Sequence, residues 1–246
     1  ILRTSVTALA LLALGACAKK GDLDETGGIV SVRSSCPVAA IPAQTGDVTL
    51  FNPAGSTDAS AIDVVASMTI ALDLLGQARE LYTYAAKVEG RDNDEDKFAY
   101  LRDVRQYRNL LLVEQPNGDF AVTMVRQLFY SVFADLYWRA MTRSSDATLA
   151  AIAAKSEKES AYHVRHCSEW IVRLGDGTDE SHMRAQEAID HLWSYTGEMF
   201  VADDAERGLI DAGIAVDPAT LKAQWQKIVG EVVAEVAGLV ETVDQR

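Results

Sequence analysis

The stretch from Asp119 to Met141, D-F-A-V-T-M-V-R-Q-L-F-Y-S-V-F-A-D-L-Y-W-R-A-M, determines the architecture of this chain. Its apolar residues occur in adjacent pairs one turn apart, which is the 3.6-residue period of an α-helix. The stripe that these pairs form is too wide for a surface helix, so it predicts a helix packed on several sides. Asp119 directly follows the turn signal Pro116-Asn117-Gly118, and we therefore expect it to cap the helix.

Such a central helix needs other helices around it, and the chain after Thr69 supplies them. Capping residues followed by apolar positions at helical spacing predict five further segments, and no segment after Thr69 has the pattern of a strand. The predicted fold class is therefore all-α, a bundle of long helices joined by short loops. The segments are Ile70–Val88, Phe98 to just before Pro116, Asp146 (or Ser145) to Leu174, Thr178–Phe200, and a last helix from Asp217-Pro218 onward.

The charge of the chain is strongly acidic, with a formal net charge of −13 over 246 residues. Binding to nucleic acid needs clustered lysine and arginine to neutralise phosphates, and this composition argues against it. No phosphate-binding GxxxxGK[ST] loop or dinucleotide fingerprint is present. The three cysteines, Cys17, Cys36 and Cys167, match neither a disulfide framework nor a CxxC metal site.

The first 17 residues have the features of a bacterial export signal. Arg3 precedes an apolar run from Val6 to Ala16, which is too short to span a bilayer. The run ends in Leu14-Gly15-Ala16-Cys17, which is similar to a lipobox, so Cys17 is the candidate for lipidation. A processed Cys17 would anchor the protein by lipid at the bacterial envelope. The alternative is a buried apolar helix in which Cys17 is accidental.

Residues 18–69 change in character to Gly, Ser, Pro and β-branched residues. Ile29–Val32 and Val48–Phe51 have the pattern of short strands, and Asn52–Gly55 has that of a turn. No residue pattern in this segment indicates chemistry. The predicted organisation is a signal over residues 1–17, an irregular segment over 18–69 and a helical domain over 70–246.

A bundle of long helices raises the possibility of a di-iron carboxylate site. Such sites use Glu-x-x-His on two helices, and this chain contains no Glu-x-x-His. The nearest features are Glu159 with His163 and Glu187 with His191, both at i,i+4 spacing, which could converge if both faces turned inward. The same spacing also produces ordinary side-chain pairs. We favour that structural interpretation, with His163 as a hydrogen-bonded interior histidine and Glu159 as its candidate partner.

Three other residue groups have a functional and a structural interpretation. The central helix offers one carboxylate, Asp135, which lies beside the apolar stripe rather than on it. Cys167 follows His163 by one turn, but no oxyanion-stabilising loop is evident, so we expect a buried thiol rather than a nucleophile. The acidic loop Asp92–Asp96 lacks the glycine and the closing glutamate of an EF-hand, so we interpret it as a solvated linker rather than a calcium site.

Five segments, in this order, resemble the structural C subunits (PaaC) of ring-1,2-phenylacetyl-CoA epoxidases. The resemblance covers about residues 70–240 and depends on all five segments, since no single one is decisive. They are I-A-L-D-L-L-G-Q-A-R (Ile70–Arg79), R-N-L-L-L-V-E-Q-P-N-G-D-F (Arg108–Phe120), A-A-I-A-A-K (Ala150–Lys155) followed by Glu159 and Tyr162-His163, R-L-G-D-G-T (Arg173–Thr178) and G-I-A-V-D-P (Gly213–Pro218).

The resemblance implies a ferritin-like subunit of a cytoplasmic bacterial multicomponent monooxygenase. That complex converts phenylacetyl-CoA to its ring epoxide with O2 and electrons from a separate reductase. The family's structural subunit is a catalytically silent relative of the catalytic subunit, which holds two irons, and its role is to pair with and support that subunit. The resemblance therefore implies no catalytic residue and no cofactor in this chain, and a di-iron subunit as its partner.

Two departures from the family remain. Family members have further helical sequence before the Ile70 motif and a tail beyond the position of Arg246. We expect the helical bundle to be truncated at both ends and joined near Thr69/Ile70 to an unrelated exported segment, as a chimeric sequence. Two alternative functions stay open: a di-iron oxygenase in its own right that uses Glu159, His163, Glu187 and His191, or an exported lipoprotein with a helical binding body.

The chimeric interpretation makes a prediction about the gene. A sequencing read of one uninterrupted DNA molecule across codons 69–70 is expected to show that the two parts do not share one continuous frame. A clean, continuous frame through both parts in such a read would contradict the interpretation.

Overall fold

The structure is a computed structural model that describes residues 22–23, 29–31, 57–90, 94–101 and 109–243, with side chains described between Thr69 and Val236. Strands β1 (Asp22–Leu23) and β2 (Ile29–Ser31) pair antiparallel. Short 3-10 turns cover Gly197–Phe200 and Pro218–Leu221. The described helices are α1 (Thr57–Glu89), α2 (Glu95–Tyr100), α3 (Leu111–Glu114), α4 (Phe120–Met141), α5 (Ala147–Gly175), α6 (Asp179–Trp193), α7 (Asp204–Asp211) and α8 (Lys222–Val243).

Helix α4 is the centre of the bundle. It begins after Asp119, whose carboxylate accepts a hydrogen bond from the Val122 amide at 3.0 Å. Nearly every residue from Met124 to Met141 is buried, so the helix has almost no solvent face. It packs against α5 along its length and also contacts α6 and α8. The prediction of a central helix packed on several sides is confirmed.

Helix α5 lies beside α4 and has the predicted boundaries. Asp146 caps it, accepting hydrogen bonds from the amides of Thr148 at 2.9 Å and Leu149 at 3.0 Å. The stripe predicted to face inward is buried throughout, which confirms the register of this helix. Its members are Leu149, Ile152, Ala153, Ser156, His163, Cys167, Ile171 and Leu174. Together with the other helices, α4 and α5 form the all-α, ferritin-like bundle that the sequence predicts.

The predicted start of the first helix is wrong. Helix α1 begins at Thr57, so the proposed boundary between Thr69 and Ile70 lies inside a continuous helix. The β-branched residues between 57 and 69 suggested irregular structure, but the segment also contains three alanines, and Thr57-Asp58 are residue types common at helix starts. Helix propensity over a long window therefore outweighs the local β-branched content.

The second predicted helix, from Phe98 to Pro116, is also wrong as one element. Helix α2 ends at Tyr100, Leu101 is 76% exposed, and the separate short helix α3 begins at Leu111. Of the apolar positions that suggested one helix face, Phe98 lies in α2, whereas Leu111 and Leu112 lie in α3. The predicted helix Thr178–Phe200 is also shorter than expected. Its helical part, α6, ends at Trp193, and its last four residues form the 3-10 turn Gly197–Phe200.

Predictions for the N-terminal part are tested only where the structure describes it. Ile29–Val32 corresponds to β2, whereas Val48–Phe51, Asn52–Gly55 and the signal with Cys17 lie outside the described residues. Within the part that is described, none of the helices combines the length and the apolar character needed to cross a membrane.

The turn before α4 depends on glycine at position 118. Gly118 has a φ of 60°, and an added Cβ would lie 2.9 Å from the Val122 side chain. Gly118→Ala is expected to lower the free energy of unfolding by about 2–4 kcal/mol, combining the left-handed backbone with the steric overlap. Urea unfolding followed by circular dichroism measures the change.

Gly213→Ala is the matched control. Gly213 also has a positive φ, 68°, but a Cβ there would meet only the Ser145 hydroxyl at 3.9 Å. The free energy of unfolding of this variant is expected to fall by only about 1 kcal/mol, which is the cost of the left-handed backbone alone. Equal losses in the two variants would contradict the steric explanation.

Candidate functional site

A row of polar side chains joins α1 to α5 and contains two of the four candidate metal ligands. The paired positions rise along α1 as they fall along α5, so the two helices run antiparallel. The contacts are Asp73 Oδ2 to His163 Nε2 at 3.0 Å, Gln77 Nε2 to Glu159 Oε2 at 2.8 Å, Lys155 Nζ to Glu80 Oε1 at 2.6 Å, and the Tyr84 hydroxyl to the Asp146 carboxylate. We call these residues the polar seam.

His163 is the most deeply buried titratable member of the polar seam. Its side chain is 1% exposed, whereas the carboxylate of Asp73 that contacts it is 25% exposed. Burial lowers the pKa of His163, and the hydrogen bond and charge of Asp73 only partly oppose this effect. The histidine is therefore an interior, hydrogen-bonded residue as predicted, but its partner is Asp73 and not Glu159.

Glu159 lies one turn from His163 and faces the same helix. Burial raises its pKa, and the hydrogen bond from Gln77 acts in the opposite direction. Lys155, which donates to Glu80, lies 3.8 Å from the Glu159 carboxylate. Each charged group in this part of the seam therefore has a protein partner, and the seam acts as a set of specific contacts that fixes α1 against α5.

The other two candidate ligands lie elsewhere. Glu187 and His191 are exposed on α6, and His191 contacts Tyr195 ring to ring at 5.6 Å. The structure therefore does not bring Glu159, His163, Glu187 and His191 together, because α6 buries Ala185, Ala188, Ile189 and Leu192 and turns the intervening polar face outward. Among the described residues, no group of three or more His, Cys, Asp or Glu side chains is arranged to hold a metal ion. As the described residues are placed, Glu159 and His163 on α5 and Glu187 and His191 on α6 do not fit a shared di-iron centre.

Asp135 forms a second polar contact on the central helix. Its carboxylate pairs with Arg139 at 2.9 Å, and Arg139 lies 3.4 Å from Glu157 on α5. Burial raises the pKa of Asp135, while Arg139 opposes this effect. The arrangement is an ion pair within α4 that extends through Arg139 to Glu157 on α5.

Cys167 is the buried thiol that was expected, whereas the described part of the acidic loop is not a linker, because Asp94 caps α2 and Glu95 and Asp96 form its first turn. Cys167 is fully buried, and burial raises the pKa of its thiol, which keeps the sulfur protonated and unreactive. Asp94 caps α2 by accepting a hydrogen bond from the Lys97 amide at 2.8 Å, and Glu95 pairs with Arg79 at 3.4 Å. The rest of the loop lies outside the described residues.

Asp73 and Gln77 were missed from sequence. Both belong to the Ile70–Arg79 motif, and their i,i+4 spacing matches that of Glu159 and His163. Two i,i+4 polar pairs on antiparallel helices are the signal that could have identified the polar seam.

Known proteins similar to this chain belong to one family. The family model described as "Phenylacetic acid catabolic protein" matches residues 63–242. A curated relative, the C subunit of the 1,2-phenylacetyl-CoA epoxidase of Escherichia coli (strain K12), is 49% identical over 162 residues. That match covers 66% of this chain and 65% of the relative, so the chain spans just under two thirds of the relative's length. The family match starts before Ile70, which again places the 69/70 boundary inside the helical domain.

The burial of His163 predicts a pH dependence of stability. Because its pKa is lower in the folded state than the ordinary value of 6.5, the unfolded chain binds its proton first as the pH falls. The contribution of His163 to the free energy of unfolding is thus complete above about pH 6.5. Below that pH it is lost, by at most about 1.4 kcal/mol per pH unit. Urea unfolding at pH 7.5, 6.5 and 5.5 measures this slope.

Two variants separate His163 from the other histidines. His163→Gln retains a hydrogen-bonding side chain that does not titrate, and it is expected to flatten the slope between pH 6.5 and 5.5. His191→Gln removes an exposed histidine and should leave the slope unchanged. Identical slopes in the wild type and His163→Gln would show that His163 does not control the pH dependence.

Proposed function

The chain belongs to the phenylacetic acid catabolic protein family, and on that premise we propose that it is a structural subunit of a phenylacetyl-CoA 1,2-epoxidase. In this role it pairs with a catalytic subunit that holds the di-iron centre, in the cytoplasmic degradation of phenylacetate. The observation that carries the proposal is the 49% identity over 162 residues with the corresponding E. coli epoxidase chain. That match covers 66% of this chain.

The arrangement of polar residues supports a structural rather than a catalytic role for this chain. Its two inward candidate ligands, Glu159 and His163, are engaged by Gln77 and Asp73, while Glu187 and His191 are exposed. Acidic and histidine side chains thus stabilise helix packing here instead of converging on a metal. Under this proposal the di-iron chemistry lies in the partner subunit.

Co-purification tests the proposed function. The full chain is co-expressed with a tagged catalytic epoxidase subunit from the same source, and the affinity eluate is separated by size exclusion. We expect both chains to co-elute in a constant ratio, with iron following the catalytic subunit when the two are later separated. Elution of this chain apart from the catalytic subunit would contradict the proposal. Two irons per chain on the present protein alone would favour the oxygenase alternative.

A further inference from the structure

Three large apolar side chains are exposed around the 3-10 turn Gly197–Phe200. Leu111 is 49% exposed, Trp193 is 42% exposed and Val201 is 69% exposed. The Leu111 amide donates to Glu198 Oε2 at 3.0 Å, and the Val201 amide donates to the Glu198 carbonyl at 3.1 Å, so both residues are fixed to the same turn. We call Leu111, Trp193 and Val201 the apolar patch. Exposed clusters of this kind mark interaction sites in soluble proteins.

Trp193 is held rigidly although it is partly exposed. Its ring lies 5.7 Å from Phe129 and 5.6 Å from Trp225, measured between ring centroids, and Phe200 contacts Trp225 at 5.4 Å. One side of the indole is therefore anchored in the core while the other remains open. A rigid, half-exposed tryptophan is the residue type that most often dominates binding energy at interfaces.

Leu111 is also held in place. The neighbouring side chains Leu112 and Val113 are buried, and Gln115 Nε2 donates to the Leu111 carbonyl at 3.0 Å. The guanidinium of Arg126, 1% exposed, donates to the Pro116 carbonyl and thereby ties the following turn to α4. Because this segment is fixed at both ends, Leu111 is held in its exposed position by the fold. A rigid surface of this kind loses little conformational entropy on binding.

The charges around the apolar patch indicate what kind of surface it fits. Within residues 109–115 and 190–207, the only described lysine or arginine is Arg207, which pairs with Asp204 and donates to the Ala202 carbonyl. A second cation, the exposed Lys222, directly follows the 3-10 turn Pro218–Leu221, which contacts the turn Gly197–Phe200. The acidic residues of these segments are Glu114, Asp190, Glu198, Asp203, Asp204 and Glu206. An acidic rim is complementary to a surface with lysine or arginine around an apolar centre.

The same charges argue against a second copy of this chain as the occupant. In a symmetric dimer, the same surface of both copies meets, which would bring two acidic rims together around the patch. Like-charge contacts of this kind are unfavourable. The net charge of −13 adds a repulsion of the same sign.

We propose that the apolar patch is the surface on which this chain docks a different subunit, one that presents an apolar centre surrounded by basic residues. The inference rests on the proposed function, since the catalytic partner in the epoxidase is the occupant to which we commit. Trp193 acts as the central anchor, Leu111 and Val201 complete the apolar centre, and the acidic rim orients the partner.

Binding of the purified catalytic subunit from the same source to the full chain tests the surface, by biolayer interferometry at two salt concentrations. The patch variant carries Leu111→Lys with Val201→Lys, which places charge in the apolar centre next to the basic rim of the partner. Its Kd is expected to rise about tenfold or more, as for the loss of central interface contacts. The matched control carries Leu72→Lys with Leu75→Lys, two leucines of α1 that are 66% and 56% exposed, and it should bind like the wild type.

The acidic rim is tested by Glu114→Lys against Glu235→Lys. Both residues are exposed and both substitutions change the charge equally, but Glu235 lies ten residues along α8 from Trp225, about 15 Å away along the helix axis. Glu114→Lys is expected to weaken binding and to reduce its salt dependence, whereas Glu235→Lys should do neither. Far-UV circular dichroism checks that every variant is folded. If the double patch variant does not fold, the comparison of Glu114→Lys with Glu235→Lys tests the surface instead.

The outcomes separate this inference from the proposed function. Wild-type binding that is weakened by the patch and rim variants, but not by the controls, supports the inference. Wild-type binding that folded patch and rim variants retain unchanged overturns the inference and leaves the proposed function standing. Absence of wild-type binding overturns both.

Discussion

The structure depends on one constraint, which is that helix α4 is apolar around nearly its whole circumference. Such a helix loses stability wherever it meets water, because burial of apolar area is the main favourable contribution to folding. It must therefore be enclosed, and α5, α6 and α8 enclose it. Trp225 shows how close this packing is, since its indole Nε1 donates to the Phe129 carbonyl of α4 at 2.8 Å.

Apolar burial brings the helices together but does not by itself fix their register. The polar seam does so for α1 and α5, because a shift of one turn would separate Asp73 from His163 and Gln77 from Glu159. The buried His163 and the partly buried Glu159 would each carry a desolvation penalty if they were left without partners. Residue types that build metal centres in other bundles thus serve here as specific contacts between helices.

The sequence-based predictions succeeded where caps and helical periodicity are local and clear, and they failed where the structure depends on distant contacts. The α4 and α5 helices were predicted to within a residue, since Asp119 and Asp146 cap long segments of unambiguous period. The start of α1 was not predicted correctly. The β-branched residues before Ile70 suggested irregular structure, although the longer segment as a whole favours a helix. Pairings such as Asp73 with His163 depend on which helix lies opposite, which no local pattern contains.

The exposure of Trp193 could not be predicted for a related reason. Trp193 is the last residue of α6, and the chain turns away after it through Gly197–Phe200. The end of the helix therefore leaves a large aromatic ring half covered by Phe129 and Trp225. Where an element ends decides which of its last residues face the core, and helix ends are the least certain part of a prediction.

Hydrogen–deuterium exchange of the full chain, with and without the catalytic subunit of the epoxidase, tests both the enclosure of α4 and the role of the apolar patch. We predict that the amides of α4 exchange slowest in both states, because its enclosure holds the bundle together. We also predict that the added subunit slows exchange at residues 111–113 and 193–201 and leaves the polar seam unchanged. Fast exchange in α4 of the isolated chain, or new protection confined to α1 and α5, would contradict this view of the protein.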